Sequence, residues 1–123
     1  MTVPSPSKNK KQTAERRGRR AESLAGWLLR LKGYRILAQR FAAPVGEIDI
    51  VAQRRGELVF VEVKYRQTCE EGRLAVTPKS QRRIQAAAQA WLARYGRNLL
   101  VPMRFDIIAV SPKGISHHRD AFR

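Results

Sequence analysis

The chain has 123 residues, 43% of them hydrophobic, and its 25 lysines and arginines outnumber its 10 aspartates and glutamates to give a formal net charge of +15. This length fits a single domain, and the hydrophobic fraction suffices for a core, so a chain that is disordered throughout is excluded. The single cysteine excludes an internal disulfide and a zinc site built from several thiolates.

A basic tail and one helix are predicted before the first strand. Residues 1–13 combine proline, serine and lysine with almost no apolar side chains, which is typical of a disordered segment. Between residues 14 and 32, apolar side chains recur at three- and four-residue steps, and Gly33 stands where a helix C-cap belongs. The sequence therefore predicts a helix whose buried stripe contains Ala21, Leu24, Leu28 and Leu31.

Three strands are predicted next. Residues 34–43 alternate loosely and end at Pro44–Gly46, while residues 47–53 and 58–66 are rich in β-branched side chains. The short glycine-containing link at 54–56 joins the last two strands as an antiparallel hairpin. The density of valine and phenylalanine in the last strand indicates that it is covered on both faces.

The rest of the chain predicts one strong helix and one more strand. Residues 67–76 show no periodicity and predict a loop. Thr77–Pro78 supplies an N-cap and a first-turn proline for a helix that ends at Gly96. Residues 104–110 predict a strand, and residues 113–123 predict a weakly structured C-terminal segment.

Together these elements predict an α/β fold in which helices flank a mixed central β-sheet. If the second helix is the crossover between strands 58–66 and 104–110, those two strands are parallel. One domain over residues 14–112 accommodates all of these elements.

Charge and hydropathy restrict the partner and the compartment. A net charge of +15 favours a polyanionic partner, and nucleic acid is the leading candidate, although anionic membranes and acidic proteins would also be attracted. No apolar stretch approaches the roughly 20 residues that span a bilayer, and the basic N-terminus is not followed by the apolar region of a signal peptide. We therefore expect a cytoplasmic protein without a membrane partner.

Two acidic residues, Asp49 and Glu62, lie within apolar strands, where a carboxylate is costly to desolvate. Because side chains alternate along a strand, Glu62 and Lys64 share a face, and pairing about the 54–56 turn brings Asp49 close to Glu62. Two carboxylates without histidine or cysteine favour Mg²⁺ or Mn²⁺ over zinc. A lysine beside such an ion can stabilise negative charge, so the pattern indicates hydrolysis of a phosphodiester bond.

The same residues also fit structural roles. A Glu-x-Lys step on a strand is commonly a solvated edge with a weak ion pair. Glu22, on the first helix, falls at the margin of the predicted apolar stripe, beside the space left by Gly26. It fits either a third member of the acidic cluster or an ordinary boundary glutamate paired with Arg19.

Two segments resemble a known family: Gly46–Ala52, which reads GEIDIVA, and Leu58–Arg66, which reads LVFVEVKYR. Together they look like the core of the YraN-type family of small bacterial predicted endonucleases, which is related to archaeal Holliday junction resolvases within the PD-(D/E)xK superfamily. The similarity extends from Glu22 through the second helix to Arg104–Asp106. It implies a restriction-endonuclease-like fold and metal-dependent cleavage of DNA.

The resemblance also implies a role for individual residues. Asp49 and Glu62 match the metal ligands, Lys64 the catalytic lysine and Glu22 the acidic residue of the first helix. The backbone carbonyl of Val63 is a further ligand by the same resemblance. The implied cofactor is Mg²⁺ or Mn²⁺.

Basic and aromatic residues outside this motif have two interpretations each. The predicted nucleic-acid contacts are Arg66, Lys79, Arg82 and Arg83. Lys79, Arg82 and Arg83 on the second helix also fit a solvent-exposed helix face, because lysine and arginine are good helix formers. Trp27, Trp91 and Tyr95 fall at core spacing, and we predict that they pack in the core rather than stack on bases. The His117–His118 pair lies near a predicted frayed end and predicts no metal site.

Three functions fit this sequence. The first is a metal-dependent endonuclease acting on DNA, including branched recombination or repair intermediates. The second is a non-catalytic nucleic-acid-binding accessory protein on the same scaffold, and the third is an RNA-processing nuclease or a ribosome-associated basic protein. Because resolvases make symmetric cuts with two sites, the resemblance also implies a homodimer.

Overall fold

A computed structural model describes residues 6–95 and 101–123, with side chains from residue 16 onward. Within these ranges the chain forms three helices and five strands. They are α1 (Pro6–Leu31), β1 (Arg35–Ala43), β2 (Gly46–Arg54), β3 (Glu57–Tyr65), α2 (Cys69–Leu74), α3 (Pro78–Arg94), β4 (Met103–Ser111) and β5 (Gly114–Phe122). No helix in the described ranges is long and apolar enough to cross a membrane.

The five strands form one mixed sheet in chain order, β1-β2-β3-β4-β5. Neighbouring strands are antiparallel except β3 and β4, which are parallel. A parallel pair needs a crossover, and α2 and α3 lie in the connection between these two strands. The predicted α/β architecture with a mixed sheet, the β2–β3 hairpin and the parallel pair are all confirmed.

Helices cover both faces of the sheet and enclose two apolar cores. On one face α1 packs against β2 and β3, and on the other α3 packs against β1 and β2. Because successive side chains of a strand point to opposite faces, Phe60 joins the α3 core while Val59 and Val61 join the α1 core. Strand β3 is therefore covered on both faces, as its composition predicts.

Helix α1 differs from its prediction in length and in buried face. It begins at Pro6, because lysine, glutamine and alanine form helices well without an apolar stripe and proline is favoured at the first helical position. The predicted disordered tail over residues 1–13 is therefore wrong from Pro6 onward. The buried face contains Ala21, Ala25 and Leu29, since the small alanines let the helix approach the sheet. The large apolar residues exposed instead are Leu24, Trp27 and Leu31.

The three aromatic residues predicted to pack behave differently. Trp91 is buried and contacts Phe60 with ring centroids 6.0 Å apart, which confirms its prediction. Tyr95 contacts the Trp91 ring but remains half exposed. Trp27 is 63% exposed, so its predicted place in the core is wrong. The cause is the rotation of α1, which turns Ala21, Ala25 and Leu29 rather than Leu24 and Leu31 toward the sheet.

Two segments predicted to lack regular structure form elements. The predicted loop at 67–76 contains α2, which has only six residues and buries only Gly72, so it has no apolar period to detect. The C-terminal segment predicted as weakly structured forms β5 instead. It is an edge strand with a polar sequence, and its structure comes from pairing with β4, which composition does not reveal.

Turn and cap residues fix the elements around the site. Arg55 and Gly56 both have left-handed φ angles, 52° and 79°, as the tightest hairpin turns require. This turn sets the register between β2 and β3. Thr77 caps α3 by accepting a hydrogen bond from the Ser80 N–H at 3.2 Å, and Pro78 follows it as predicted. The predicted helix end at Gly96 lies outside the described residues.

Candidate functional site

Asp49 lies where β2 and β3 separate. Paired residues of these two strands run from Arg54 opposite Glu57 to Ile50 opposite Val61. Beyond that pair, β2 continues to pair only with β1. The Oδ2 atom of Asp49 accepts a hydrogen bond from the Val63 N–H at 2.8 Å, where a regular ladder would use a backbone carbonyl. The carboxyl group of Asp49 is therefore drawn into the gap between the strands, beside residue 62.

Glu62 and Lys64 lie next to Asp49 on β3. The Lys64 Nζ is 3.5 Å from the Glu62 Oε1, and the Glu62 side chain also shares a hydrogen bond with Asp49. Only 14% of the Glu62 side chain and 25% of the Lys64 side chain are exposed. The predicted convergence of two carboxyl groups and one ammonium group is therefore present, and it is largely shielded from solvent.

Burial changes the acidity of both carboxyl groups. It raises the pKa of Glu62 to about 8, and the neighbouring Asp49 carboxylate adds to this rise while Lys64 opposes it. Burial also raises the pKa of Asp49, against hydrogen bonds from the Val63 N–H and from Glu62. The raised pKa of Glu62 predicts that the hydrogen-bonded pair keeps one proton at neutral pH, held by Glu62.

This shared proton predicts how the stability of the metal-free protein depends on pH. The pKa of Glu62 rises from 4.5 in the unfolded chain to about 8 in the folded protein. The folded state therefore binds more protons between these values, so the stabilising contribution is complete below about pH 4.5 and is lost as the pH rises to about 8. The expected slope is at most about 1.4 kcal/mol per pH unit.

The measurement is urea unfolding in EDTA at several pH values between these limits. Glu62→Gln is the matched control, because an amide cannot lose this proton. We expect the free energy of unfolding of the wild type to fall relative to that of the variant as the pH rises. Parallel curves for the two proteins would contradict the assignment of the proton to Glu62.

Glu22 approaches the site from α1 but has its own partner. The Arg40 Nε donates to the Glu22 Oε2 at 2.6 Å. Arg40 lies in β1 next to Asp49 of β2, because its neighbours Gln39 and Phe41 pair with the residues on either side of Asp49. The Glu22 carboxylate contributes to the raised pKa of Asp49, after the larger effect of burial, so the two carboxylates are electrostatic neighbours.

Arg40 was not predicted as a site residue. Its φ angle of 53° is in the left-handed region, which is costly for a residue with a side chain and which recurs at functional positions. The sequence has neither glycine nor asparagine at this position, so it does not predict a left-handed backbone there. The pairing with Glu22 becomes visible only once α1 and β1 are placed side by side.

An open cavity of about 650 Å³ lies in front of Glu62 and Lys64. Its opposite wall consists of Ser80 and Arg83 from the start of α3, and its rim is the β1–β2 turn. Gly46 closes the cavity at one side, because its α-carbon lies so near α3 that an added Cβ would be 2.6 Å from the Arg83 carbonyl oxygen. This cavity is large enough to admit a nucleotide unit and lies against the buried carboxyl group of Glu62.

The predicted nucleic-acid contacts divide into two groups. Arg83 lines the cavity in front of Glu62, and Arg66 lines a second cavity of about 390 Å³ on the other side of Lys64, where it donates to the Tyr65 carbonyl oxygen at 2.7 Å. Lys79 and Arg82 are exposed on α3 and line neither cavity. Two of the four predicted contacts therefore lie beside the candidate site.

The donor set of the site fits a hard divalent cation. Asp49 and Glu62 provide two carboxyl groups whose raised pKa values reflect burial that is not fully compensated by neighbouring charges. Mg²⁺ commonly binds to one or two carboxylates and keeps several waters. No cluster of three or more aspartate, glutamate, histidine or cysteine side chains suited to a metal occurs in residues 6–95 and 101–123. Glu22 is paired with Arg40, and its place as a third acidic member of the site stays a prediction.

Val63 contacts Asp49 through its N–H group. That the backbone carbonyl of Val63 binds a metal ion stays a prediction.

A second buried polar cluster, which the sequence did not predict, lies around Asp106. Its carboxylate accepts hydrogen bonds from the Arg104 Nε at 2.9 Å, the His117 Nε2 at 2.7 Å and the Asp120 N–H at 2.9 Å. Arg104 also donates to Tyr34 and Glu57. Asp106 is a carboxylate in an apolar strand, which is the same signal that singled out Asp49. His117 is ordered in β5, so its predicted place near a frayed end is wrong.

Comparison with known proteins identifies relatives over most of the chain. A model of the uncharacterised protein family UPF0102 matches residues 21–110. A UPF0102 protein of Bradyrhizobium sp. (strain ORS 278) is 46% identical over 119 residues, which are 94% of this chain and 84% of that protein. A UPF0102 protein of Chelativorans sp. is 53% identical over 104 residues, which are 84% of this chain and 83% of that protein. A UPF0102 protein of Brucella canis is 47% identical over 116 residues, which are 94% of this chain and 91% of that protein.

Proposed function

Because the chain belongs to the uncharacterised protein family UPF0102, whose name assigns no reaction, we propose a function from the site itself: a metal-dependent endonuclease that hydrolyses phosphodiester bonds in DNA. The observation that carries the proposal is the pair of buried, hydrogen-bonded carboxyl groups of Asp49 and Glu62, with the Lys64 Nζ 3.5 Å from the Glu62 Oε1. Perturbed acidic groups that face a cavity are characteristic of catalytic sites.

Mg²⁺ or Mn²⁺ is the proposed cofactor, held by Asp49 and Glu62 with the carbonyl of Val63 as a further ligand. When bound, such an ion supplies Lewis-acid polarisation of a phosphoryl oxygen. To hold the ion, Asp49 and Glu62 would both be ionised. Glu22, which holds Arg40 beside Asp49, completes the proposed acidic cluster.

The other groups at the site act on the substrate. The Lys64 ammonium borders both cavities, so it can donate to a phosphoryl oxygen or to the attacking water as negative charge develops. Arg83 and Ser80 face it across the larger cavity and can hold a neighbouring phosphate. These residues bind and orient the substrate backbone without reading its bases.

DNA is the proposed substrate because of charge and resemblance. The net charge of +15 supplies salt-sensitive affinity for a polyanion of any sequence. The β2–β3 motif resembles a family that is related to Holliday junction resolvases, which favours branched recombination or repair intermediates. Cutting two strands symmetrically would need two copies of the site, so we propose a homodimer that acts in the cytoplasm.

Cleavage assays test this proposal. Wild type would be incubated with single-stranded, duplex and branched DNA, and with matched RNA, in Mg²⁺ or in EDTA. We expect cleavage of DNA in Mg²⁺ alone. Lys64→Met should lower the cleavage rate about 10²- to 10³-fold, because it removes a charge that stabilises the transition state.

The matched control is Lys113→Met, which removes the same charge from an exposed turn between β4 and β5. It should cut at the wild-type rate within about twofold, since its exposed side chain lines neither cavity and its charge is screened by salt. Salt-sensitive binding by the wild type without any cleavage would contradict the nuclease and support an accessory role. Preferential cleavage of RNA would move the substrate to the RNA-processing alternative.

A further inference from the structure

Trp27 is a large aromatic residue that the fold leaves in solvent. It lies on α1, with 63% of its surface exposed, one residue after the buried Gly26. The Arg30 guanidinium carbon is 5.7 Å from the centre of its ring, which holds the ring against a positive charge. An exposed indole with a cationic neighbour is a common feature of surfaces that bind a flat, negatively charged ligand.

A cavity of about 280 Å³ lies beside this ring. Its lining combines one aromatic ring, two guanidinium groups and three other polar side chains, namely Trp27, Arg30, Arg40, Glu22, Ser23 and Gln39. The Glu22–Arg40 pair that forms one wall also flanks Asp49, because Arg40 lies next to Asp49 in the sheet. The cavity therefore adjoins the candidate site on the side of α1.

The lining restricts the class of ligand. The Trp27 ring offers a face for stacking, Ser23 and Gln39 offer hydrogen bonds to a polar edge, and the arginines offer contacts to phosphate. Residues 16–43 contain eight lysines and arginines against the single acid Glu22, which is already paired with Arg40. A second copy of this chain would bring the same positive charge, whereas a nucleotide supplies both an aromatic plane and negative charge.

We propose that Trp27 stacks on an unpaired nucleobase and that this cavity selects nucleic acid with single-stranded or unpaired nucleotides beside the scissile phosphate. The bases of an intact duplex are already stacked on both faces and would have to leave the helix to reach Trp27. The position relative to the scissile phosphate rests on the proposed nuclease function. The stacking contact itself requires only binding.

Binding in EDTA tests the inference without any cleavage. The anisotropy of a fluorescein-labelled single strand, and of the same sequence as a blunt duplex, would be titrated with the wild type, Trp27→Leu and Trp27→Phe. We expect Trp27→Leu to weaken single-strand binding about tenfold and to leave duplex binding within about twofold. Trp27→Phe keeps an aromatic face and should stay within about threefold of the wild type.

Leu31→Ala is the matched control, because Leu31 is 83% exposed on the same helix and lies outside the cavity lining. It should bind the single strand as the wild type does. Equal losses on single strand and duplex, or no loss from Trp27→Leu, would overturn the inference. The inference would also be overturned if Trp27→Leu dissociated a dimer in sedimentation while its single-strand affinity stayed unchanged. In that case a second copy of the chain would occupy this face.

The two proposals can fail separately. If the wild type does not cut DNA in Mg²⁺ but Trp27→Leu still loses single-strand affinity in EDTA, the nuclease function is wrong and the stacking surface stands. If the wild type cuts DNA through Lys64 while Trp27→Leu binds every substrate normally, the stacking inference is wrong and the nuclease function stands.

Discussion

Asp49→Asn is expected to abolish most of the proposed nuclease activity while leaving the fold intact. An asparagine oxygen can still accept the hydrogen bond from the Val63 N–H, so the separation of β2 from β3 is retained. The amide carries no negative charge, which removes one of the two ionisable ligands proposed for the cation. We expect the single-turnover cleavage rate in Mg²⁺ to fall about a thousandfold, which corresponds to about 4 kcal/mol of transition-state stabilisation.

The matched control for this variant is Glu70→Gln. It also removes one negative charge, but from an exposed residue of α2 whose partner is Arg73 on the same helix. Its cleavage rate should equal that of the wild type. Asp49→Asn should also unfold at no lower urea concentration than the wild type, because it removes a buried carboxylate whose pKa burial raises. An Asp49→Asn protein that cuts as fast as the wild type would place the chemistry elsewhere.

The central part of this site was predictable because it depends on one hairpin. The β-branched composition of the two strands, the left-handed turn at Arg55–Gly56 and the alternation of side chains along β3 set the register. That register is sufficient to bring Asp49, Glu62 and Lys64 together. The parallel pairing of β3 with β4 followed in the same way from the crossover helix between them.

The surroundings of the site depend on how α1 is rotated about its axis, which the sequence predicted only in part. Of the predicted stripe of Ala21, Leu24, Leu28 and Leu31, the first is buried and Leu28 partly buried, but Leu24 and Leu31 are exposed. The helix packs through Ala21, Ala25 and Leu29. Alanine contributes little hydrophobic area, so its role appears only when close approach to the sheet is considered. The same rotation exposes Trp27, which periodicity alone places in the core.

The Asp106 cluster could not be assembled from the sequence because its members come from separate elements. Arg104 and Asp106 share β4, but His117 is contributed by the edge strand β5 and Tyr34 by the residue before β1. The mostly polar sequence of β5 shows no alternation of apolar and polar residues that would predict a strand. An isolated carboxylate in an apolar run therefore predicts that partners exist without identifying them.

The buried carboxyl groups of this chain fall into two physical classes. Hydrogen bonds from His117, Arg104 and the Asp120 N–H overcome the effect of burial and hold the pKa of Asp106 below its usual range. Burial dominates at Asp49 and Glu62, where the pKa rises. A satisfied carboxylate stabilises the fold, whereas an incompletely satisfied pair lowers stability and is retained where a ligand can complete it. This contrast separates the structural cluster from the proposed catalytic site.

Asp106→Asn is accordingly expected to destabilise the protein strongly without removing a catalytic group. The Asp106 side chain is fully buried, and Arg104 is only 8% exposed, so the variant leaves a buried guanidinium without its carboxylate. Breaking a buried ion pair in this way typically costs about 3–5 kcal/mol. Because the folded pKa of Asp106 lies below its unfolded value, the wild-type contribution is complete above about pH 4 and is lost as the pH falls further.

Urea unfolding at pH 7 measures this effect, with Asp120→Asn as the matched control. Asp120 is exposed and pairs with the exposed Arg123, so its loss should cost at most about 1 kcal/mol. The asparagine also tolerates the left-handed backbone at this position, where φ is 51°. Equal free energies of unfolding for the two variants would show that the Asp106 cluster is not a stabilising ion pair. Since the cluster lies outside the proposed catalytic set, the folded fraction of Asp106→Asn should retain the wild-type cleavage rate.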